Sequence, residues 1–119
     1  MRTGRVSIKG REYITCFSTR VLIECEERAG SVEAEMEKIQ GGSITECIWL
    51  LHRLIAAGCK YAELEGMEAP EAIGYDELLD GVGIDEYSGL FVAVAGAVSG
   101  GAERNVKVES KNAQATQGI

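Results

Sequence analysis

One stretch limits the folds open to this chain more than any other: Ser43 to Tyr61, SITECIWLLHRLIAAGCKY. It is the only segment long, apolar and regular enough to act as a central helix. Ser43 with Glu46 three residues on forms a capping-box pattern, in which hydroxyl and carboxylate satisfy amides at a helix start. Ile44, Cys47, Ile48, Leu51, Leu54, Ile55 and Gly58 then recur at helical spacing as one apolar stripe. Trp49, Leu50 and Ala57 widen the stripe beyond what a one-sided surface helix needs, so the helix should be covered on several sides or meet a partner.

The rest of the chain reads as packing around that helix. At 119 residues and 45% hydrophobic it can build one modest core. The expected fold is α+β, a mainly helical single domain over 1–101 with an N-terminal β-hairpin and a flexible tail over 102–119. The hairpin is expected over 4–17, with Gly10-Arg11 as a type II′ turn, so that Lys9 faces Glu12, Ile8 faces Tyr13 and Val6 faces Thr15. Val6, Ile8, Tyr13 and Phe17 then share one face, which should cover the central helix, since a lone hairpin is marginal in water.

From Ser18 the apolar period lengthens to nearly four, predicting a helix over 18–29 that Ser18 caps and Gly30 stops. Ser31 caps a second helix over 31–40 in which Val32, Met36 and Ile39 form an apolar edge while Glu33, Glu35 and Glu37 face water. Gly41-Gly42 breaks the chain before the central helix, 43–60. Pro70 suits the first turn of a helix over 70–80. Asp85 caps a last element over 85–99, in which 89–98 reads equally as helix or strand. That apolar run is too short and too interrupted by glycine to span a bilayer.

The net charge of −7 argues against binding nucleic acid, which requires Lys and Arg to neutralise phosphates. The charge is segregated. Residues 1–20 carry Arg2, Arg5, Lys9, Arg11 and Arg20 against Glu12, whereas residues 21–90 carry four basic side chains and sixteen acidic ones. Such an arrangement serves solubility, or steers a basic partner or a neighbouring copy. Cys16, Cys25, Cys47 and Cys59 contain no CxxC pair and no signal peptide opens the chain, which fits a reduced, cytoplasmic protein. Cys25 and Cys47 fall on apolar helical faces as small hydrophobes.

Catalytic patterns do not assemble. His52, the sole histidine, has no nucleophile motif near it, and the cysteines lack metal-ligand spacing. The DGVGIDE segment with Asp80, Asp85 and Glu86 lacks the alternating ligands of a calcium loop, and Gly81 and Gly83 are followed by no phosphate-binding lysine. No enzyme, cofactor or metal is expected.

The run GREYITCFSTRVLIECEERAGS resembles the start of the tail assembly chaperones of long-tailed bacteriophages and prophages. The features that carry the resemblance are Tyr13 to Phe17, Leu22 with Glu26 and Glu27, Gly30-Ser31, and Trp49 to Leu51, and it covers about the first half of the chain. It implies a non-enzymatic protein that binds the tape measure protein while tail tube subunits polymerise around it, with the tail tube protein as a second partner and a homo-oligomer left open. The expected partner-binding residues are Trp49, Leu50, Arg53, Glu26 and Glu27, although Trp49 reads equally as core. The alternative is a structural tail component such as a terminator or connector.

Overall fold

The structure, a computed structural model, describes the backbone of residues 3–114 and the side chains of residues 3–100. It is mainly helical with one N-terminal hairpin, the α+β class expected.

Strands β1 (Thr3–Ile8) and β2 (Arg11–Cys16) pair antiparallel, with Ile8 opposite Arg11, Val6 opposite Tyr13 and Gly4 opposite Thr15. The turn is therefore Lys9-Gly10 rather than Gly10-Arg11. Both residues have positive φ, 52° and 78°, as a type I′ turn requires, and the twist of that turn matches the twist of the strands. The register differs by two residues from the expected one, and an even slip leaves side chains on their original faces. Val6, Ile8 and Tyr13 accordingly still share one buried face. The expected Lys9–Glu12 pairing is lost. Glu12 lies opposite Ser7 and 3.6 Å from Arg5 instead, an exposed ion pair that contributes little stability.

Helix α1 (Thr19–Ala29) begins as the sequence implies, the Ser18 hydroxyl accepting the Val21 N–H at 3.4 Å. It ends at Gly30, whose φ of 95° is left-handed and whose N–H donates to the Glu26 carbonyl at 2.8 Å. Helix α2 (Val32–Gln40) is capped by Ser31, which accepts the Ala34 N–H at 3.0 Å. Its acidic face is not uniformly wet: Glu33 and Glu37 are exposed, but Glu35 is 0% exposed and buried beneath α1 and α3. A period of 3.6 residues carries position 35 to the same side as Ile39 one turn later, and the three-helix contact covers both.

Helix α3 (Ile44–Leu64) is the central element and runs four residues further than expected. Only half of its capping box forms. Ser43 Oγ accepts the Glu46 N–H at 3.2 Å, but the Glu46 carboxylate turns to Arg28, and the Ser43 N–H donates to the Lys38 carbonyl. Cys47, Ile48, Leu50, Leu51, Leu54, Ile55, Gly58 and Ala62 are buried, whereas Ile44 at the open end of the stripe is 45% exposed. Gly58 does not end the helix. It lies against β2 so closely that a Cβ there would overlap the Ile14 carbonyl group and sit 2.9 Å from the Thr15 nitrogen. This contact helps explain why Tyr13, Ile14, Thr15 and Cys16 are all buried.

After α3 the chain forms no regular element until α4 (Tyr75–Gly81), so the helix expected over 70–80 starts five residues late. A start at Pro70 would place Gly74 inside the helix, where glycine is unfavourable. As the N-cap, Gly74 instead donates its N–H to the Glu77 carboxylate at 3.1 Å. A single 3-10 turn (Ile84–Glu86) leads into α5 (Tyr87–Gln114), and α4 meets the segment Ile84–Gly100 at 99°. Asp85 lies inside the turn rather than capping a helix, and Glu86 accepts the Gly83 N–H at 2.9 Å. Leu90, Val94 and Val98 are buried at four-residue spacing, so 89–98 is helix. The helix expected to end at 99 continues to Gln114, through part of the tail expected over 102–119; the side chains of that tail, and its backbone from 115, lie outside the described residues.

The core joins Val6, Ile8 and Tyr13 of the hairpin to Val21, Cys25 and Ile39, the inner side of α3, Leu78, and Leu90, Val94 and Val98. All four cysteines are free; Cys25 and Cys47 are buried in this core. Among the described residues no single helix is long and apolar enough to cross a membrane.

Candidate binding face

The outer face formed by α1 and α3 carries the densest set of side-chain interactions. Arg53 on α3 forms a fork with Glu24 on α1, Nε to Oε1 and Nη2 to Oε2 both at 2.9 Å. Arg28 at the end of α1 makes a second fork with Glu46, at 2.6 and 3.1 Å. The Arg28 guanidinium also lies 4.3 Å from the centre of the Trp49 ring, a cation–π distance. Planar, two-pronged pairs fix geometry as well as charge, so these two forks tie α1 to α3 at the rim of their buried contact.

Two depressions open on this face. A shallow one of about 430 Å³ is lined by Glu24, Glu27, Arg28, Trp49 and Arg53. A larger groove of about 580 Å³ lies beside it, with Val21, Ala56, Ala57, Tyr61 and Leu64 as its apolar surface and Arg20 and Lys60 among its polar residues. Glu24 and Arg53 border both, making the two continuous. Leu64 is 76% exposed, so the groove ends on an uncovered apolar side chain.

Of the residues expected to bind a partner, Trp49, Arg53 and Glu27 come together here. Glu26 is exposed on α1 but lines neither depression. Leu50 is a correction: it is fully buried, because one residue beyond Trp49 on a helix turns by about 100° and points into the core. Trp49 itself is half-buried and packs against the core while its ring supports Arg28. Arg28 and Glu24 were not expected at this face and Glu46 was expected only as a helix cap, since the partners lie 18 and 29 residues apart and no local pattern announces such pairs.

Below this face sits Glu35. Neither of its oxygens accepts a hydrogen bond among the described residues, and the Glu46 carboxylate beside it is an acceptor to which only a protonated Glu35 can donate. Burial foremost, and then the adjoining Glu46 carboxylate, push its carboxyl up to about 7, with Arg28 and Lys38 opposing. Glu46 is held below the usual carboxylate range, first by its bond to Arg28. Burial, with Glu35 and Glu24 adding to it, pushes the Cys25 thiol up to about 11, which leaves it a protonated core side chain.

His52 packs edge-on against Tyr75, ring centres 5.7 Å apart, and burial first, then Arg53, lower its pKa. It forms part of the packing between α3 and α4. Among the described residues no group of three or more His, Cys, Asp or Glu side chains is placed to hold a metal ion.

Comparison with known protein families, curated proteins and solved structures finds no match to this chain.

Proposed function

We propose that this protein acts by binding rather than by chemistry, as a tail assembly chaperone of a long-tailed phage or prophage that holds the tape measure protein before tube subunits cover it. The observation that carries the reading is the open groove between α1 and α3, apolar along Val21, Ala56, Ala57, Tyr61 and Leu64 and bordered by charge. An amphipathic helix lays its apolar side into such a groove, and a long helical partner exposes such a side until its final coat arrives. Elsewhere the acidic surface keeps the complex soluble, and the two arginine forks tie the groove walls together before the partner docks, which lowers the ordering cost of binding. The sequence resemblance over Tyr13 to Leu51 supplies the class of partner.

The test is co-expression with the tape measure protein, followed by size-exclusion chromatography with light scattering. The expected result is a shared peak in which the otherwise insoluble partner is soluble, lost on Leu64→Asp, a change at an exposed position that spares the core. Elution of the chain alone, or as a closed ring indifferent to the partner, refutes this reading, and the ring would favour a terminator or connector.

A further inference from the structure

A second apolar surface lies away from the α1/α3 groove, at the corner where the start of α3 meets α4 and the 3-10 turn. A cleft of about 200 Å³ there is lined by Ile44, Ile48, Leu79, Val82, Ile84 and Tyr87, among others. Three of these side chains are left largely in water: Ile44 at 45%, Leu79 at 48% and Ile84 at 75% exposure. Contiguous exposed apolar side chains of this size mark an interaction surface more often than isolated ones do.

The charge around the cleft is of one sign. Between Tyr61 and Ala102 the chain has nine acidic residues and no basic one. Two of those carboxylates converge on Gly83, which lines the cleft: Glu86 accepts its N–H at 2.9 Å, and a Cβ placed there would touch Asp85 Oδ1. Asp76, Glu77 and Asp80 are exposed along α4. Among the described residues no cation lines the cleft; the Lys9 side chain reaches over Gly81 at the end of α4.

We propose that this corner is a docking face for a cationic amphipathic helix of another protein. The ridge of that helix would cover Ile44, Leu79 and Ile84, and its flanking Lys or Arg side chains would meet Asp80, Asp85 and Glu86. Charge complementarity selects this occupant. An anionic membrane or a nucleic acid would be repelled by the acidic rim. A second copy fits poorly, because the exposed cations of the hairpin, Arg5 and Arg11, have no exposed large apolar neighbour on the strands. Ile23, exposed on α1, is followed by Glu24, Glu26 and Glu27. The partner must bring apolar surface and positive charge together on a ridge; the described part of this chain that comes nearest, Leu64 with Arg20 and Lys60, lines the α1/α3 groove, and a groove does not fill a cleft.

The proposal does not depend on the tape measure reading, since it uses a separate face. The probe is a fluorescein-labelled peptide of about 18 residues, long enough to hold a helix, with leucines at i, i+3, i+4 and i+7 and lysines on the flanks. A control peptide keeps the leucines and replaces lysine by glutamate. Fluorescence anisotropy with the full chain should show binding of the lysine peptide alone, weakened by added salt. In a chain that also carries Leu64→Asp, which removes the other groove as a competing site, Leu79→Ser with Ile84→Ser should weaken it about tenfold or more, and Asp80→Asn with Asp85→Asn should weaken it and flatten the salt dependence. All four positions in the corner variants are exposed, and thermal melts matching the wild type establish that the variants fold. Equal binding of the two peptides to the Leu64→Asp chain, or indifference of that binding to the corner variants, overturns the proposal. So does self-association by light scattering that Ile84→Ser abolishes, which would make a second copy the occupant.

Discussion

Replacing Glu35 by glutamine should remove a large part of the pH dependence of stability between pH 4.5 and 7. Glu35 is 0% exposed, accepts no hydrogen bond among the described residues, lies beside the Glu46 carboxylate, and has a pKa raised from 4.5 to about 7 in the fold. The folded protein therefore binds a proton that the unfolded chain has already shed across this window. Stability from this group is fully present below pH 4.5 and is lost as pH rises to about 7. A difference of about 2.5 pH units at 1.36 kcal/mol each amounts to roughly 3 kcal/mol. Glutamine keeps the shape without the charge, so the variant should match the wild type near pH 5 and exceed it by about 2–3 kcal/mol at pH 8. Guanidinium titrations at pH 5, 6, 7 and 8, followed through the fluorescence of Trp49, the sole tryptophan, measure this. His52 works in the opposite sense: its lowered pKa means stability is lost as pH falls through 6.5, so the quantity to read is the variant-minus-wild-type difference, in which His52 cancels. Glu46, held low by Arg28, contributes only at more acid pH. A difference curve that stays flat from pH 5 to 8 would show that Glu35 is hydrated or paired in solution and would refute the argument.

Two further substitutions probe the packing and the hairpin. Gly58→Ala adds a methyl group where the Ile14 carbonyl already stands, and backbone cannot move aside as a side chain can. The gain in helix propensity of about 1 kcal/mol should be outweighed, for a net loss of about 2 kcal/mol in chemical denaturation, and an unchanged or raised midpoint would mean that α3 does not touch β2 there. Lys9→Asn places a residue tolerant of left-handed backbone at φ 52° ahead of Gly10, the pairing most favoured in type I′ turns. It should stabilise by about 0.5–1 kcal/mol, read as a higher melting temperature, and a lower one would argue for a different turn.

What the sequence determined by itself is the set of elements whose signals are local. Ser18, Ser31 and Ser43 each cap the helix they precede, because a hydroxyl reaches an amide two or three residues on without help from the rest of the chain. Gly30 ends α1 for an equally local reason, its left-handed backbone. The faces of the hairpin were legible too, since alternation fixes them, while the turn was misplaced by one residue because Gly10 suits either turn type and Lys9 gives no warning that it adopts positive φ. Tertiary structure decided everything that depends on distant partners. It drew the Glu46 carboxylate away from its own helix start to Arg28, set Gly58 of the apolar stripe directly against β2, and buried Glu35 beneath the helices on either side of it in the chain. The face shared by Trp49, Glu27 and Arg53 was half visible, as residue types suited to binding, but the groove beside it exists only because α1 and α3 pack against each other through the core. Local chemistry acts over one helical turn, whereas a groove is the space between two elements, and that space is set by packing.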